Sequence, residues 1–345
     1  MTAEEILNDN TKPPSPFPLE KPPTHHHSNH HAAKPTPQII AHRGYKALYP
    51  ENSMLAIQEA IKAGAHAIET DVHESKDGVV VLSHDPTLNR CFSLPPKIST
   101  CTWPYLSTLR TTTPPHVPLA RLSDLLNYLS TPDLSHIWVL LDIKTDDDPN
   151  LTLVPSIATT IASNPPPEGA SWTWQERIVL GGWNENYLRA LGEELPGFRR
   201  AYIGFSLLYA KRFLDDEKWA GVQFNLLQQA VVGPFGRGFV QRVKRARTER
   251  RLWVWTVNDE RWMRWAWRKG VDGVVTDEVG LLKRVLDGDE DRGRGRGDGG
   301  DVYQGGDDTG FDVGFGGGYM GKVEEGGEGN WRGGEEGAGE GEELI

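Results

Sequence analysis

Glu69 and Asp71 stand two residues apart in the run Ala67–Val72, and on an extended strand that spacing puts both side chains on one face. If the strand belongs to a barrel, that face is the interior. Two unpaired carboxylates are costly to bury there, and a hard, oxygen-seeking cation relieves the cost. A third carboxylate, Asp142, lies at the end of the apolar run Ile137–Ile143, and Lys144 follows on the same face. The competing use of these groups is a structural ion-pair cluster, with Asp142 and Lys144 pairing to Glu69 and Asp71. Two histidines weigh against it. His42 closes Ile39-Ile40-Ala41-His42-Arg43-Gly44, and His84 closes Leu82-Ser83-His84-Asp85. A pair of groups that titrate near neutrality beside a divalent cation suits acid–base chemistry on a phosphodiester. Lys144 and Arg43 would add positive charge where negative charge develops.

Groups so far apart in the chain meet only if the elements carrying them converge. Apolar, β-branched runs at Gln38–Ala41, Ala67–Val72, Ile137–Ile143, Ile178–Trp183, Ala201–Phe205, Val222–Phe224, Leu252–Val257 and Gly273–Thr276 read as buried parallel strands. Helical-period stretches separate most of them, at Ser53–Ala63, Leu122–Leu129, Glu185–Leu195, Leu208–Trp219, Phe235–Val243, Glu260–Arg268 and Val279–Leu286. The alternation over residues 38–287 predicts an α/β fold, a (β/α)8 TIM barrel, whose usual length is about 250 residues. Active sites of this architecture sit at the C-terminal strand ends, where His42, Glu69, Asp71, His84, Asp142 and Lys144 all fall. Trp255 and Asn258 end the seventh barrel strand and are expected to line the substrate pocket; the other use of Trp255 is as barrel filler.

One run breaks the alternation. Val79–Ser83 follows Ala67–Val72 too closely for a parallel crossover, and Asp77-Gly78 is a hairpin signal. A small antiparallel hairpin inserted after the second strand is therefore expected. With Asp77-Gly78 as a two-residue loop, Asp71 faces His84; with Lys76-Asp77, Glu69 does.

Charge and composition bound what surrounds this domain. The 345 residues carry 37 Lys+Arg and 48 Asp+Glu, a net −11. Residues 288–345 hold 22 of the 38 glycines and the whole of that excess, so residues 1–287 are formally neutral. A neutral body argues against a nucleic-acid partner. This Gly/acidic tail is predicted to be disordered, as is the Pro/His-rich arm at residues 1–37. The histidines at 25–27, 30 and 31 read as solvated rather than as a metal site. Residues 293–297 alternate Gly and Arg, but their acidic surroundings favour a linker over a nucleic-acid patch. Cys91 and Cys101, the two cysteines, make no disulfide framework and no zinc spacing, which points to a reducing compartment. No secretory leader and no membrane-spanning run is read from the sequence, so a cytoplasmic enzyme visiting an intracellular membrane surface is expected.

The ordered set His42-Arg43-Gly44, Pro50-Glu51-Asn52-Ser53, Glu69-Thr70-Asp71-Val72, Lys76-Asp77-Gly78, Ser83-His84-Asp85, Asp142-Ile143-Lys144, Trp255-Thr256-Val257-Asn258 and the segment from Gly270 to Asp277 resembles the glycerophosphodiester phosphodiesterases. It covers nearly all of residues 38–287. The resemblance implies that Glu69, Asp71 and Asp142 hold one divalent cation, Mg2+ or Ca2+, and that His42 and His84 act as base and acid. The position of Asp142 is often Glu in that family. The resemblance further implies attack by the glycerol hydroxyl next to the phosphoester, giving a cyclic phosphate that water opens. Longer stretches, among them Leu82-Ser83-His84-Asp85-Pro86-Thr87-Leu88 and Trp262-Met263-Arg264-Trp265, are similar to the fungal phosphatidylglycerol-specific phospholipase C branch. They imply cleavage of phosphatidylglycerol to diacylglycerol and glycerol phosphate, with a glycerophospholipid as the partner and no protein partner. The alternatives are hydrolysis of soluble, deacylated glycerophosphodiesters and, from a different class, a silent barrel that binds phospholipid headgroups.

Trp262, Trp265 and Trp267 alternate with Arg261, Arg264, Arg268 and Lys269. Such a helix could lie on anionic lipid. The spacing of Trp262 and Trp265 equally suits packing on the barrel, and packing is the expectation.

Overall fold

A computed structural model describes residues 35–294 other than 147, 149 and 246–249. Eight parallel strands close into a barrel: β1 (Gln38–His42), β2 (Ala67–Glu74), β4 (Trp138–Ile143), β5 (Ile178–Gly182), β6 (Arg199–Gly204), β7 (Val222–Leu227), β8 (Leu252–Trp255) and β9 (Gly273–Thr276). β1 pairs with both β2 and β9, which completes the circle. Ahead of β4, and after each other barrel strand except β2, stands one helix longer than a single turn: α1 (Met54–Lys62), α2 (Leu122–Leu129), α3 (Leu153–Ser163), α4 (Glu185–Glu194), α5 (Leu207–Asp215), α6 (Gly233–Arg245), α7 (Glu260–Lys269) and α8 (Val279–Arg294). The (β/α)8 barrel expected from the alternation is the fold observed.

The period-two pattern divides each strand between two cores. Ile40, Ala67, Trp138, Leu140, Val179, Ala201, Trp253 and Val275 point inward and fill the barrel, with the Trp138 and Trp253 rings 5.1 Å apart. The alternate positions, such as Ile39, Ile68, Val139, Leu180 and Val274, pack outward against the helices. Each buried aliphatic or aromatic side chain contributes about 1.5–3 kcal/mol. Strands buried on both faces therefore read as continuous apolar runs, which made them visible in the sequence.

Helix boundaries follow capping chemistry. The Ser53 hydroxyl accepts from the N–H of Ala56 and starts α1, and Asp259 accepts from Arg261 and Trp262 and starts α7. Gly270 ends α7 at φ +69°, a conformation glycine adopts without steric cost. The partly buried Trp262, Trp265 and Trp267 pack against the helix–strand core, as expected for a barrel helix.

Several expectations need correction. The stretch 208–219 is not one helix: α5 stops at Asp215, and Asp216 caps a separate 3-10 turn, Glu217–Trp219. Helix α3 has no counterpart in the sequence reading, because Pro155 and four Ser/Thr residues obscure its period. Proline is tolerated there because the first turn donates no intrahelical hydrogen bond. Helix α8 continues to Arg294, past the expected end of the domain at residue 287. The rest of the glycine-rich tail and the histidine cluster lie outside the described residues.

The inserted hairpin is larger than expected, and its register is different. β3 (Val80–Leu82) pairs antiparallel with β2, Val72 facing Leu82 and Glu74 facing Val80. The loop has three residues, Lys76, Asp77 and Gly78, because Gly78 turns at φ +81° and Ser75 pairs with Val79. This register lies between the two considered, so His84 falls opposite Thr70 and faces neither Asp71 nor Glu69. After β3 the chain makes an excursion over residues 83–121 with its own small core of Val81, Leu88, Phe92, Ile98, Leu106 and Leu119. Cys91 and Cys101 lie in it as free thiols.

Candidate active site

Strand register assembles the acidic cluster. On neighbouring parallel strands Asp71 sits beside Asp142, and His42 beside Glu69. One carboxylate oxygen from each of Glu69, Asp71 and Asp142 lies within 4.8 Å of the others, and all three residues are buried. Gly181 faces Asp142 on β5, and a Cβ there would fall 2.4 Å from the Ile203 Cδ1. The indole N–H of Trp183 donates to Asp142 Oδ1 at 2.7 Å.

Two cations enter this cluster. Lys144 Nζ lies 2.8 Å from Asp71 Oδ1 and 2.7 Å from Asp142 Oδ2, and Arg43 Nε lies 3.1 Å from Asp71 Oδ2. Burial pushes the Lys144 ammonium down, but the two carboxylates outweigh it and its pKa is raised. Asp71 is held well below the usual carboxylate range: burial opposes this, and Lys144 and Arg43 overcome it. Glu69 goes the other way. Its carboxylate receives the backbone N–H of Arg43 at 3.1 Å, and burial, then Asp71 and Asp142, push its pKa well up. The ion-pair cluster anticipated as an alternative thus forms, yet it leaves one carboxylate uncompensated.

That residue of charge is the test of fit for a metal. Three buried all-oxygen ligands against two cationic side chains carry a net −1; a divalent cation would turn this to +1, which matches a phosphodiester anion. Asp71 Oδ1 accepts no aligned hydrogen bond despite full burial. The donor set therefore fits a hard divalent ion, and Glu69, Asp71 and Asp142 are the residues that could hold it.

The two histidines are oriented alike. Nδ1 of His42 lies 2.6 Å from Asp277 Oδ1, and Nδ1 of His84 lies 2.7 Å from Asp85 Oδ1. A carboxylate on Nδ1 favours the Nδ1–H tautomer and leaves Nε2 to accept or deliver a proton. His42 Nε2 faces the cluster, 4.0 Å from Glu69 Oε2. Burial lowers the His42 pKa, against the opposing pull of Asp277. Burial alone would raise Asp277, but His42, Lys46 and Asn258 outweigh it and hold it at about 2.

A chain of alternating charges links the second histidine to the carboxylate cluster. From His84 it runs to Asp85, to Arg90 (2.7 Å), to Glu51 (2.7 Å), to Arg43 (3.0 Å) and to Asp71 (3.1 Å). Arg43 is placed by a left-handed turn: Arg43 and Gly44 both have positive φ, and a Cβ on Gly44 would stand 2.6 Å from the Ala56 carbonyl carbon. Asn52, also left-handed, donates to Asp71 Oδ2 at 2.8 Å and accepts from the Thr70 hydroxyl at 2.8 Å.

His42, Arg43, Glu69, His84, Asp142 and Lys144 line one cavity of about 160 Å³, together with Trp183, Asn225 and Trp255. A larger cavity of about 410 Å³ shares Lys144 and is lined by His73, Glu74, Ser75, Lys76 and Asp148 among others. Of the residues expected in the substrate pocket, Trp255 lines the smaller cavity while its N–H donates to the Asn225 carbonyl at 3.1 Å. Asn258 does not line it. Its amide donates to Asp277 Oδ2 at 2.7 Å and its oxygen accepts from the Asp277 N–H, so it braces the partner of His42. Asp277, Asp85, Glu51, Asn52 and Trp183 were not singled out from sequence. Asp277, Asp85, Glu51 and Asn52 stood inside motifs already noted, and only their contacts reveal their use.

Residues 42–281 match the glycerophosphoryl diester phosphodiesterase family. Over 263 residues the chain is 28% identical to the probable glycerophosphodiester phosphodiesterase 2 of Mycobacterium tuberculosis, covering 72% of this chain and 89% of that one. It is 24% identical to the glycerophosphodiester phosphodiesterase of Bacillus altitudinis, covering 70% and 94%. A shorter match, 53% over 57 residues, spans 24% of the Bacillus subtilis protein YqiK. Among solved structures, the Thermotoga maritima glycerophosphodiester phosphodiesterase superposes with a TM-score of 0.58 at 26% identity, covering 76% of this chain and 100% of that one. An Oleispira antarctica phosphodiesterase, in complex with the product sn-glycerol-3-phosphate, gives 0.62 at 20%, covering 73% and 97%; at that identity the likeness concerns the fold. The match to residues 42–281 spans well over half of the chain, so this protein belongs to the glycerophosphoryl diester phosphodiesterase family and is a phosphoric diester hydrolase.

Proposed function

We propose that the chain hydrolyses glycerophosphodiesters, with soluble, deacylated phospholipids as its main substrates. The observation that carries this reading is the pairing of two Nδ1-anchored histidines with a buried three-carboxylate cluster that retains uncompensated negative charge. The small cavity suits a glycerophosphate group. The larger cavity presents the charged or polar side chains of His73, Glu74, Lys76, Lys144 and Asp148, which offer partners to a hydrophilic alcohol.

A divalent cation held by Glu69, Asp71 and Asp142 would neutralise a non-bridging phosphate oxygen. Lys144 and Arg43 keep Asp71 and Asp142 ionised and add positive charge beside the phosphate. One imidazole takes the proton of the glycerol hydroxyl adjacent to the phosphoester. That oxygen attacks phosphorus, and the other imidazole protonates the departing alkoxide. Water then opens the cyclic phosphate with the two roles reversed. Trp183 and Trp255, rings 5.8 Å apart, wall the cavity and limit water. Asn258 positions Asp277, which in turn fixes the tautomer of His42.

Hydrolysis of phosphatidylglycerol is a second reading, favoured by the exposed apolar side chains Phe205, Leu208 and Phe235 that follow β6 and β7. The deciding experiment measures product release from glycerophosphocholine and from phosphatidylglycerol micelles, with Mg2+, Ca2+ or EDTA. Chelator-sensitive cleavage of the soluble diester supports the main reading. Cleavage of the lipid alone replaces it with the second, and no metal-dependent turnover of either rejects both.

A further inference from the structure

Strand β7 turns Val222, Phe224 and Leu226 toward the helices, so the alternate residues Gln223 and Asn225 point into the barrel, and both are buried. Gln223 is paired at both ends of its amide: its N–H donates to the Gly221 carbonyl at 3.1 Å, and its oxygen accepts from the backbone N–H of Arg251. Asn225, two residues nearer the C-terminal strand end, is only 3% exposed, and its Oδ1 accepts no hydrogen bond from the described residues. Buried side-chain acceptors are nearly always paired, and a bare one lowers stability. This one lies in the wall of the catalytic cavity, where a ligand can bring the missing donor.

Strand order fixes what Asn225 faces. Round the closed barrel, β7 is four strands from β2 in either direction, so Asn225 stands across the cavity from Glu69 and Asp71. The histidines, the carboxylates, Arg43 and Lys144 belong to β1, β2 and β4 or to the residues just after β1, β3 and β4. The opposite wall consists of Ile203, Asn225, Trp255 and Val275, from β6, β7, β8 and β9. In that wall the Trp255 N–H already donates to the Asn225 carbonyl. The Asn225 side chain is therefore the polar group that this apolar wall offers to a ligand.

A glycerol phosphodiester with its phosphate at the carboxylate cluster carries two glycerol hydroxyls. The one adjacent to the phosphoester lies against an imidazole, to which it loses its proton. The terminal one takes no part in bond making, and it is one carbon farther from the phosphate. We infer that Asn225 binds the terminal hydroxyl of the reacting glycerol and makes a free hydroxyl at that position a condition of fast turnover. The hydroxyl donates to Oδ1, completing the pairing that the protein leaves open. A substrate without it fills the cavity yet leaves the acceptor buried and bare, the arrangement that rejects an analogue most strongly. This inference rests on the glycerophosphodiester reading and adds the group by which the glycerol is recognised.

The test measures kcat/KM of the full chain, with Mg2+ or Ca2+ present, on glycerophosphocholine and on its propylene glycol analogue, which keeps the attacking hydroxyl and lacks the terminal one. Wild type should prefer glycerophosphocholine by about 10²-fold or more. Asn225→Leu is close in volume and removes the acceptor. Its preference should fall to within roughly threefold of unity, with the loss falling on glycerophosphocholine. Thermal unfolding of the variant should be unchanged or raised, because an unpaired buried acceptor gives way to an apolar group. A variant that keeps the wild-type preference overturns the inference, as does one that loses both substrates in equal proportion, which marks a structural role. Wild type alone also decides: cleavage of both substrates at equal kcat/KM overturns the inference and leaves the hydrolysis standing, whatever the variant does. Cleavage of neither rejects the glycerophosphodiester reading, and the inference with it.

Discussion

Asp277, the residue that follows the last barrel strand, lies 2.6 Å from Nδ1 of His42 at the end of the first. The two are 235 positions apart in sequence and meet because β1 and β9 close the barrel. Asp277→Asn keeps the shape, but an amide can donate to Nδ1 and drive the imidazole proton to Nε2, where a base needs its lone pair. We expect kcat to fall by about 10²-fold or more, with little change in KM. A second readout follows from charge. The folded carboxyl, at about 2, lies below its ordinary 3.8. The ionised group therefore stabilises the fold above about pH 4, and that contribution, about 2 kcal/mol, is lost as pH falls toward 2. The wild-type advantage over the variant should shrink over the same window in urea unfolding at stepped pH.

Glu69 is the carboxylate of the three-residue cluster without a cationic side chain in hydrogen-bond contact, and its raised pKa marks an unrelieved charge. Glu69→Gln should leave stability in EDTA unchanged or slightly higher. It should also abolish the rise in Tm that wild type gains from a divalent ion, a gain worth about 2.7 kcal/mol at a hundredfold excess over Kd. Equal metal-dependent shifts in the two proteins would show that the ion is held elsewhere.

Glu51 joins Arg90 to Arg43, and so the His84 side of the cavity to the Asp71 side. Burial would raise its pKa, but Arg90 and Arg43 hold it down. Glu51→Gln removes the charge between two guanidinium groups. We expect kcat/KM for a soluble diester to drop about tenfold, through misplacement of His84 and Arg43 rather than loss of a reacting group. Steady-state kinetics with a far-UV spectrum as folding control would check it.

A buried cation remote from the chemistry supplies the contrast. Arg177 donates to the carbonyls of Ile137, Leu129 and Leu134 at 2.8, 2.9 and 2.7 Å, and lies over the Trp172 ring at 4.1 Å. Burial lowers its pKa to about 10, so it stays charged at neutral pH. Arg177→Met leaves three carbonyls without this donor and should cost about 3 kcal/mol or more. The kcat of the folded fraction should not change, and denaturant melts run beside kinetics separate the two effects.

Where the residues' own pattern dictates structure, the sequence was sufficient. Strands buried on both faces are apolar at most positions, so all eight barrel strands and the extra β3 stood out. Glu69, Asp71, Asp142, His42 and His84 stood out as candidates because charged or titratable groups on such strands are costly to bury unless an ion-pair cluster or a cation relieves them. What sequence could not supply were relations that depend on how distant segments pack. The hairpin register turned on the three-residue loop at Gly78. The partners of the histidines, Asp277 and Asp85, differ in kind: one is adjacent in the chain and one is brought in by barrel closure. Asn258 looked like a pocket residue and became a brace for Asp277, since its amide finds two partners there. The imbalance at Glu69 likewise belongs to three-dimensional space, because it depends on Lys144 and Arg43 reaching Asp71 and Asp142 first. Residue type and period are local and survive in a sequence; hydrogen-bond partners and net charge within a few ångströms are set only when the barrel closes.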